Sequence, residues 1–91
     1  MANHRSALKR IRTSEKSRQR NRVVRGSTRS TVRRARSLVD KNQLGEAETA
    51  VQSAISALDR AASKGVIHKN NAARRKSRLM RQLNQAKAVA Q

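Results

Sequence analysis

The 91 residues include no cysteine, no proline and no phenylalanine, tyrosine or tryptophan, and only 3 glycines and 5 acids. Each shortage excludes a class of protein. Without cysteine there is neither a disulfide framework nor a thiolate metal site. His4 and His68, with a few scattered acids, make neither a metal ligand set nor an acid/base pair, so no metal, no cofactor and no enzyme activity are expected. No aromatic ring is present to stack on a base, which argues against the RNA-recognition motif, cold-shock and single-strand-binding platforms. Apolar runs stop at two or three residues, so neither a membrane span nor a signal peptide is read. The length predicts one small domain.

What the chain does have is cationic charge. Lysine and arginine number 23, for a formal net charge of +18. A free chain so charged repels itself and attracts polyanions. The charge is unevenly placed. Residues 1–36 carry +12, residues 37–65 carry −1 and residues 66–91 carry +7. Two basic segments therefore flank a nearly neutral, alanine-rich one, a pattern that plain solubility does not require. Of the 13 cations in the first segment, 11 are arginine, whose planar fork suits phosphate.

The absence of proline and the abundance of Ala, Arg, Lys, Gln and Leu predict helices throughout. No run alternates in the manner of a strand. The first helix is read from about 3–5 to about 40–42. Its second half carries an apolar stripe, Val24, Thr28, Thr31, Ala35 and Leu38, with Val32 and Val39 beside it. Residues 42–45 form a turn in which Gly45 is expected to cap a second helix, from about 46 to 63, with Glu46 and Glu48 in its first turn. The apolar face there is Ala47, Val51, Ala54, Leu58 and Ala61. Gly65, expected in the left-handed conformation, ends it. A third helix starts near 67–70 and runs to about 89, with Ala72, Ala73, the stem of Lys76, Leu79, Met80, Leu83, Ala86 and Ala90 facing inward. Short turns make successive helices antiparallel neighbours. The expected fold is all-α, an antiparallel three-helix bundle with a long first helix that projects about 20–25 Å beyond it. Residues 1–22 form the basic arm and residues 23–91 the bundle.

From Arg12 to Arg22 the arm has no apolar residue, so no protein core awaits it. Its like charges predict partial disorder in the free protein. An arm set among phosphates explains it better. Arg5, Lys9, Arg10, Arg12, Lys16, Arg18 and Arg20, with Arg25 where the bundle begins, would meet phosphates. Asn3, Ser6, Thr13, Ser14, Ser17 and Asn21 would meet phosphate oxygens and ribose hydroxyls. The third helix starts with a second cluster, His68, Lys69, Asn70, Arg74, Arg75 and Arg78, near free backbone N–H groups that favour a phosphate. Both clusters fall at the same end of an up-down-up bundle. A long cationic helix without aromatic residues or apolar wedges favours folded RNA over duplex DNA. A histone-like DNA-compacting protein is the alternative. A membrane-active helix is not favoured, because residues 12–22 have no bulky apolar face.

Three stretches resemble a known family. The first is Ala2-Asn3-His4-Arg5-Ser6-Ala7 with Lys9-Arg10. The second is Ser14-Glu15-Lys16-Ser17-Arg18 with Asn21. The third, running from Asp59 to Leu79, is most specific in Lys64-Gly65-Val66-Ile67-His68-Lys69-Asn70-Asn71-Ala72-Ala73-Arg74. Together they resemble the bacterial small-subunit ribosomal protein S20 family over nearly the whole chain. The resemblance implies a structural, non-catalytic protein of the small ribosomal subunit, in the bacterial cytoplasm or a plastid stroma. It also implies direct binding of 16S ribosomal RNA early in assembly, at its 5′ domain and the lower part of the long 3′ minor-domain helix. The matching RNA-facing positions are Asn3, Ser6, Lys9, Arg10, Ser14, Lys16, Arg18 and Asn21, then His68, Lys69, Asn70 and Arg74. Gly65 and Ile67 match the turn that places the third helix. No homo-oligomer is expected.

Overall fold

A computed structural model describes the backbone of residues 2–90 and the side chains of residues 6–89. Three helices follow one another: α1 (Ala2–Asp40), α2 (Leu44–Ser63) and α3 (Lys69–Ala90). The described residues contain no strand. The fold is the all-α, three-helix arrangement with a long first helix that composition predicts. At 1.5 Å per residue α1 is about 58 Å long and α2 about 30 Å. The molecule is accordingly elongated, 70 × 20 × 14 Å.

Both connections are closed by the same device. After α1, Asn42 adopts φ 58°. Its N–H donates to the Val39 carbonyl, and the Gln43 N–H donates to the Leu38 carbonyl. Asparagine is the non-glycine residue that best tolerates this conformation. After α2, Gly65 has φ 74°, its N–H donates to the Ala62 carbonyl, and the Val66 N–H donates to the Ala61 carbonyl. The left-handed Gly65 is as expected; Asn42 was not foreseen in that role. Gly45 is not a cap. The N-cap of α2 is Gln43, without a side-chain hydrogen bond, and Gly45 lies inside the helix.

A Cβ at Gly65 would meet nothing within 4 Å. The substitution Gly65→Ala is therefore expected to cost about 1–2 kcal/mol through backbone strain alone. Gly26 is helical with open space around it, so Gly26→Ala is expected to stabilise by about 0.5–1 kcal/mol. Chemical denaturation of the two variants checks both signs.

The core is narrow and built largely from small residues. α2 contributes Ala47, Val51, Ala54, Leu58 and Ala61, the face the periodicity indicated. From α3 come Ala72, Leu79 and Leu83. Ala73 and Met80, expected inside, are exposed, because each sits one residue, about 100° of turn, past a core position. Ala90 was also expected inward; its side chain lies outside the described residues. The stripe of α1 is rotated from expectation. Thr28, Val32, Ala35 and Val39 are buried, whereas Val24, Thr31 and Leu38 are half-buried. The rotation arises because α1 faces two helices at once, and the line midway between them is the one removed from water. No fully buried side-chain polar atom lacks a partner among the described residues.

Two ion pairs set α2 against α3. Lys76 Nζ lies 2.7 Å from Asp59 Oδ1, and Lys87 pairs with Glu48. Lys76 was expected to contribute its stem to the core; it is half-buried, and its ammonium also ties α3 to α2. Glu48 and Asp59 are as far apart along α2 as Lys87 and Lys76 along α3, so the pairs fix one antiparallel register. In that register α3 begins about 10 Å beyond the Lys76 pair while α2 ends about 6 Å beyond it. The first turn of α3 thus extends past the end of α2. α2 in turn runs back along α1 for about 28 Å, which brings its end level with about residue 21.

Candidate RNA interface

Every described residue from 6 to 20 is exposed, Asn21 and Val24 are half-buried, and Thr28 is the first buried side chain. None of the described residues of α2 or α3 buries this part of α1. Helical spacing shows how it is organised. The buried line Thr28, Val32, Ala35 and Val39 continues backward at steps of three or four through Val24, Asn21, Ser17 and Ser14. The direction that carries core residues inside the bundle carries short polar ones outside it. They form the floor of a shallow groove, with Ser6 and Thr13, between the longer side chains of Lys9, Arg10, Arg18 and Arg25. The Thr13 hydroxyl donates to the Lys9 carbonyl at 2.9 Å. A cationic wall over a hydroxyl and amide floor matches a ribose–phosphate backbone: guanidinium to phosphate, Ser and Asn to sugar hydroxyl or phosphate oxygen.

The candidate residues divide accordingly. Ser6, Lys9, Arg10, Ser14, Arg18, Asn21 and Arg25 share the groove. Arg12, Lys16 and Arg20 stand on one flank of the arm, all exposed. Asn3 and Arg5 were also expected to face RNA; their side chains lie outside the described residues. Thr13 and Ser17, also expected to meet phosphate oxygens and ribose hydroxyls, line the groove too.

The second cluster sits at the start of α3. Lys69, Asn70, Arg74 and Arg78 are exposed. His68 Nδ1 accepts the Asn70 N–H at 3.1 Å. The ring therefore caps α3, and one of the N–H groups expected to be free for phosphate is already taken. The remaining ring nitrogen, Nε2, is then the one that carries the proton and can donate outward. Arg75 is half-buried, and its Nε donates to Asn71 Oδ1 at 3.2 Å, so it is partly committed within α3. Because α3 starts beyond the end of α2, this cluster stands at the root of the arm groove.

Charge on the three helices is segregated. α2 is net acidic, with Glu46, Glu48 and Asp59 against Arg60, while α1 and α3 are strongly basic. The ion pairs among the described residues use only lysines, and no arginine is in one. Glu15 is the sole acid between Ser6 and Arg36. The described residues hold no cluster of His, Cys, Asp or Glu able to bind a metal. No helix is long and apolar enough to cross a membrane.

Comparison with known proteins identifies the family. The family model described as ribosomal protein S20 matches residues 2–84. The chain belongs to the ribosomal protein S20 family. It is 50% identical over 86 residues to small ribosomal subunit protein bS20 of Dehalococcoides mccartyi, covering 94% of this chain and 98% of that one. With bS20 of Thermomicrobium roseum it shares 51% over 84 residues, 92% of this chain and 85% of the relative. With that of Geotalea daltonii it shares 49% over 84 residues, 92% and 97% respectively. Members of the S20 family are structural ribosomal proteins and not enzymes. The DNA-compacting alternative finds no support in this family.

Proposed function

We propose that this S20-family protein binds 16S ribosomal RNA directly, through the arm groove of α1 and the first turns of α3, and so stabilises the RNA fold during assembly of the small subunit. That it is a bacterial-type small-subunit ribosomal protein follows from its family, and its place of work is the cytoplasm. One observation carries the finer reading. Residues 6–20 of α1 are wholly exposed, cationic and continuous in direction with the core line. RNA then lies along the arm where α2 stops, and abuts His68, Lys69, Asn70 and Arg74. In this reading residues 1–22 are the RNA-holding arm and residues 23–91 the bundle that aims it. Arginine forks neutralise phosphates of neighbouring RNA segments that would otherwise repel, and the bundle sets the angle between arm and α3. The regions engaged are the 5′ domain and the lower part of the long 3′ minor-domain helix.

Footprinting of 16S ribosomal RNA with and without the protein tests this. Protections are expected in both regions. Equal affinity for duplex DNA and for the folded ribosomal RNA at physiological salt would overturn it.

A further inference from the structure

The face of the arm opposite the groove is built differently. Leu8, Ile11, Glu15, Gln19, Val23 and Gly26 follow one another at steps of three, four, four, four and three. Those steps add up to about five turns, so the six positions form one straight line along the helix axis, about 27 Å long. At about 100° per residue the line lies roughly opposite the groove floor of Ser14, Ser17 and Asn21. It holds no lysine or arginine, on a segment where cations dominate. Arg12 and Arg22 stand beside it, one on each side. All six of its residues are exposed.

Leu8, Ile11 and Val23 are 48%, 55% and 70% exposed. They are the exposed large apolar side chains of α1 among the described residues, and all three fall on this line. Single apolar side chains in water are ordinary, whereas a row of them rimmed by polar residues marks an interaction face. Glu15 is the sole acid of the arm, and it makes no ion pair among the described residues. A carboxylate repels phosphate, so this face does not suit the RNA backbone that the groove takes. Gly26 is the only glycine of α1, and a Cβ there would meet nothing within 4 Å. The fold does not require it, and glycine weakens a helix interior. A position without a side chain does, however, let a second backbone come close.

We propose that this line docks an α-helix of another protein of the small subunit, laid along the arm on the side away from the RNA. The backbone groups of the arm are paired within α1, so side chains make the contact, and a straight line of about five turns fits a helix. The partner's contacting face is apolar at both ends, where it covers Leu8 and Ile11 at one and Val23 at the other. It carries a lysine or arginine opposite Glu15 and acids toward Arg12 and Arg22, and its backbone comes nearest at Gly26. One helix pair of this length is a weak interface, below about 1,200 Å². It forms where the same ribosomal RNA already holds both proteins side by side. This rests on the RNA reading given above, which puts the RNA on the other face.

The test puts a benzophenone amino acid in place of Ile11. The full chain is assembled into small subunits with 16S ribosomal RNA and the other small-subunit proteins, irradiated, and its adducts are identified by mass spectrometry. An adduct is expected with one small-subunit protein, in a helical segment where a lysine or arginine stands among apolar residues. Adding Gly26→Leu, whose Cβ meets nothing within 4 Å in the chain, should lower its yield roughly tenfold or more by blocking the close approach. Helix content and RNA affinity should not fall. Glu15→Lys should lower the yield as well, and changing the partner's cation to glutamate should restore it. An adduct with 16S ribosomal RNA or with a second copy of this chain, no protein adduct, or a yield indifferent to Gly26→Leu would overturn this inference alone. The same label in place of Ser17, in the groove, is expected to mark 16S ribosomal RNA, and its failure to do so would overturn the RNA reading instead.

Discussion

Leu58→Ala is expected to lower the unfolding free energy by about 2–5 kcal/mol. Leu58 is 0% exposed at the centre of the buried face of α2, and Leu79 of α3, also 0% exposed, belongs to the same core cluster. These two are the largest side chains wholly removed from water; alanines and valines make up most of the rest. So small a core has little with which to refill a cavity of three carbons. Domains of this size are stable by only about 5–15 kcal/mol, so the loss removes a large fraction of the total. Met80→Ala supplies the contrast. Met80 is 50% exposed, and its truncation is expected to stay within about 0.5 kcal/mol. Urea unfolding of both variants checks the pair. Equal losses would mean that α3 presents a different face to the bundle.

The second large effect concerns binding. RNA affinity is expected to fall by about 10³–10⁵ between 50 and 200 mM salt, the range for a protein that meets some 6–10 phosphates. Changing Arg10, Lys16 and Arg18 together to alanine should make the log–log slope shallower by about 2–3. The thermal midpoint should hardly move, because all three are exposed and make no ion pair among the described residues. Affinity without salt dependence would sink the electrostatic reading. An unfolding midpoint that fell in step with affinity would mean that the arm belongs to the folded core.

Much of the fold was legible residue by residue. The buried face of α2 was read correctly at Ala47, Val51, Ala54, Leu58 and Ala61, because that helix is amphipathic with one apolar stripe and no rival. α1 and α3 each have adjacent apolar candidates. Val24, Thr31 and Leu38 competed with Val32 and Val39, and Ala73 and Met80 with Ala72 and Leu79. Helical period alone does not choose between lines about 100° apart. Gly45 looked like a cap because glycine is common there, yet the helix already starts at Leu44. His68 was read as a phosphate partner from its basic surroundings. Its hydrogen bond to the Asn70 N–H adds the capping role, which depends on a ring orientation that spacing does not reveal.

The sequence by itself determined the class of fold and pointed to the class of partner. A charge of +18, the lack of aromatic rings and the neutral middle segment favour a polyanion met through its backbone. The lack of proline and of strand patterns leaves only helices. These are properties of residue type and order, so no neighbour in space can alter them. Tertiary structure decided which line of each helix is inside, where the arm leaves the bundle and which cations remain unpaired. Burial depends on where two other helices lie, and pairing on the register that Asp59–Lys76 and Glu48–Lys87 fix between α2 and α3. The burial of Thr28, Val32, Ala35 and Val39 shows which line of α1 the hydroxyl floor of the arm prolongs.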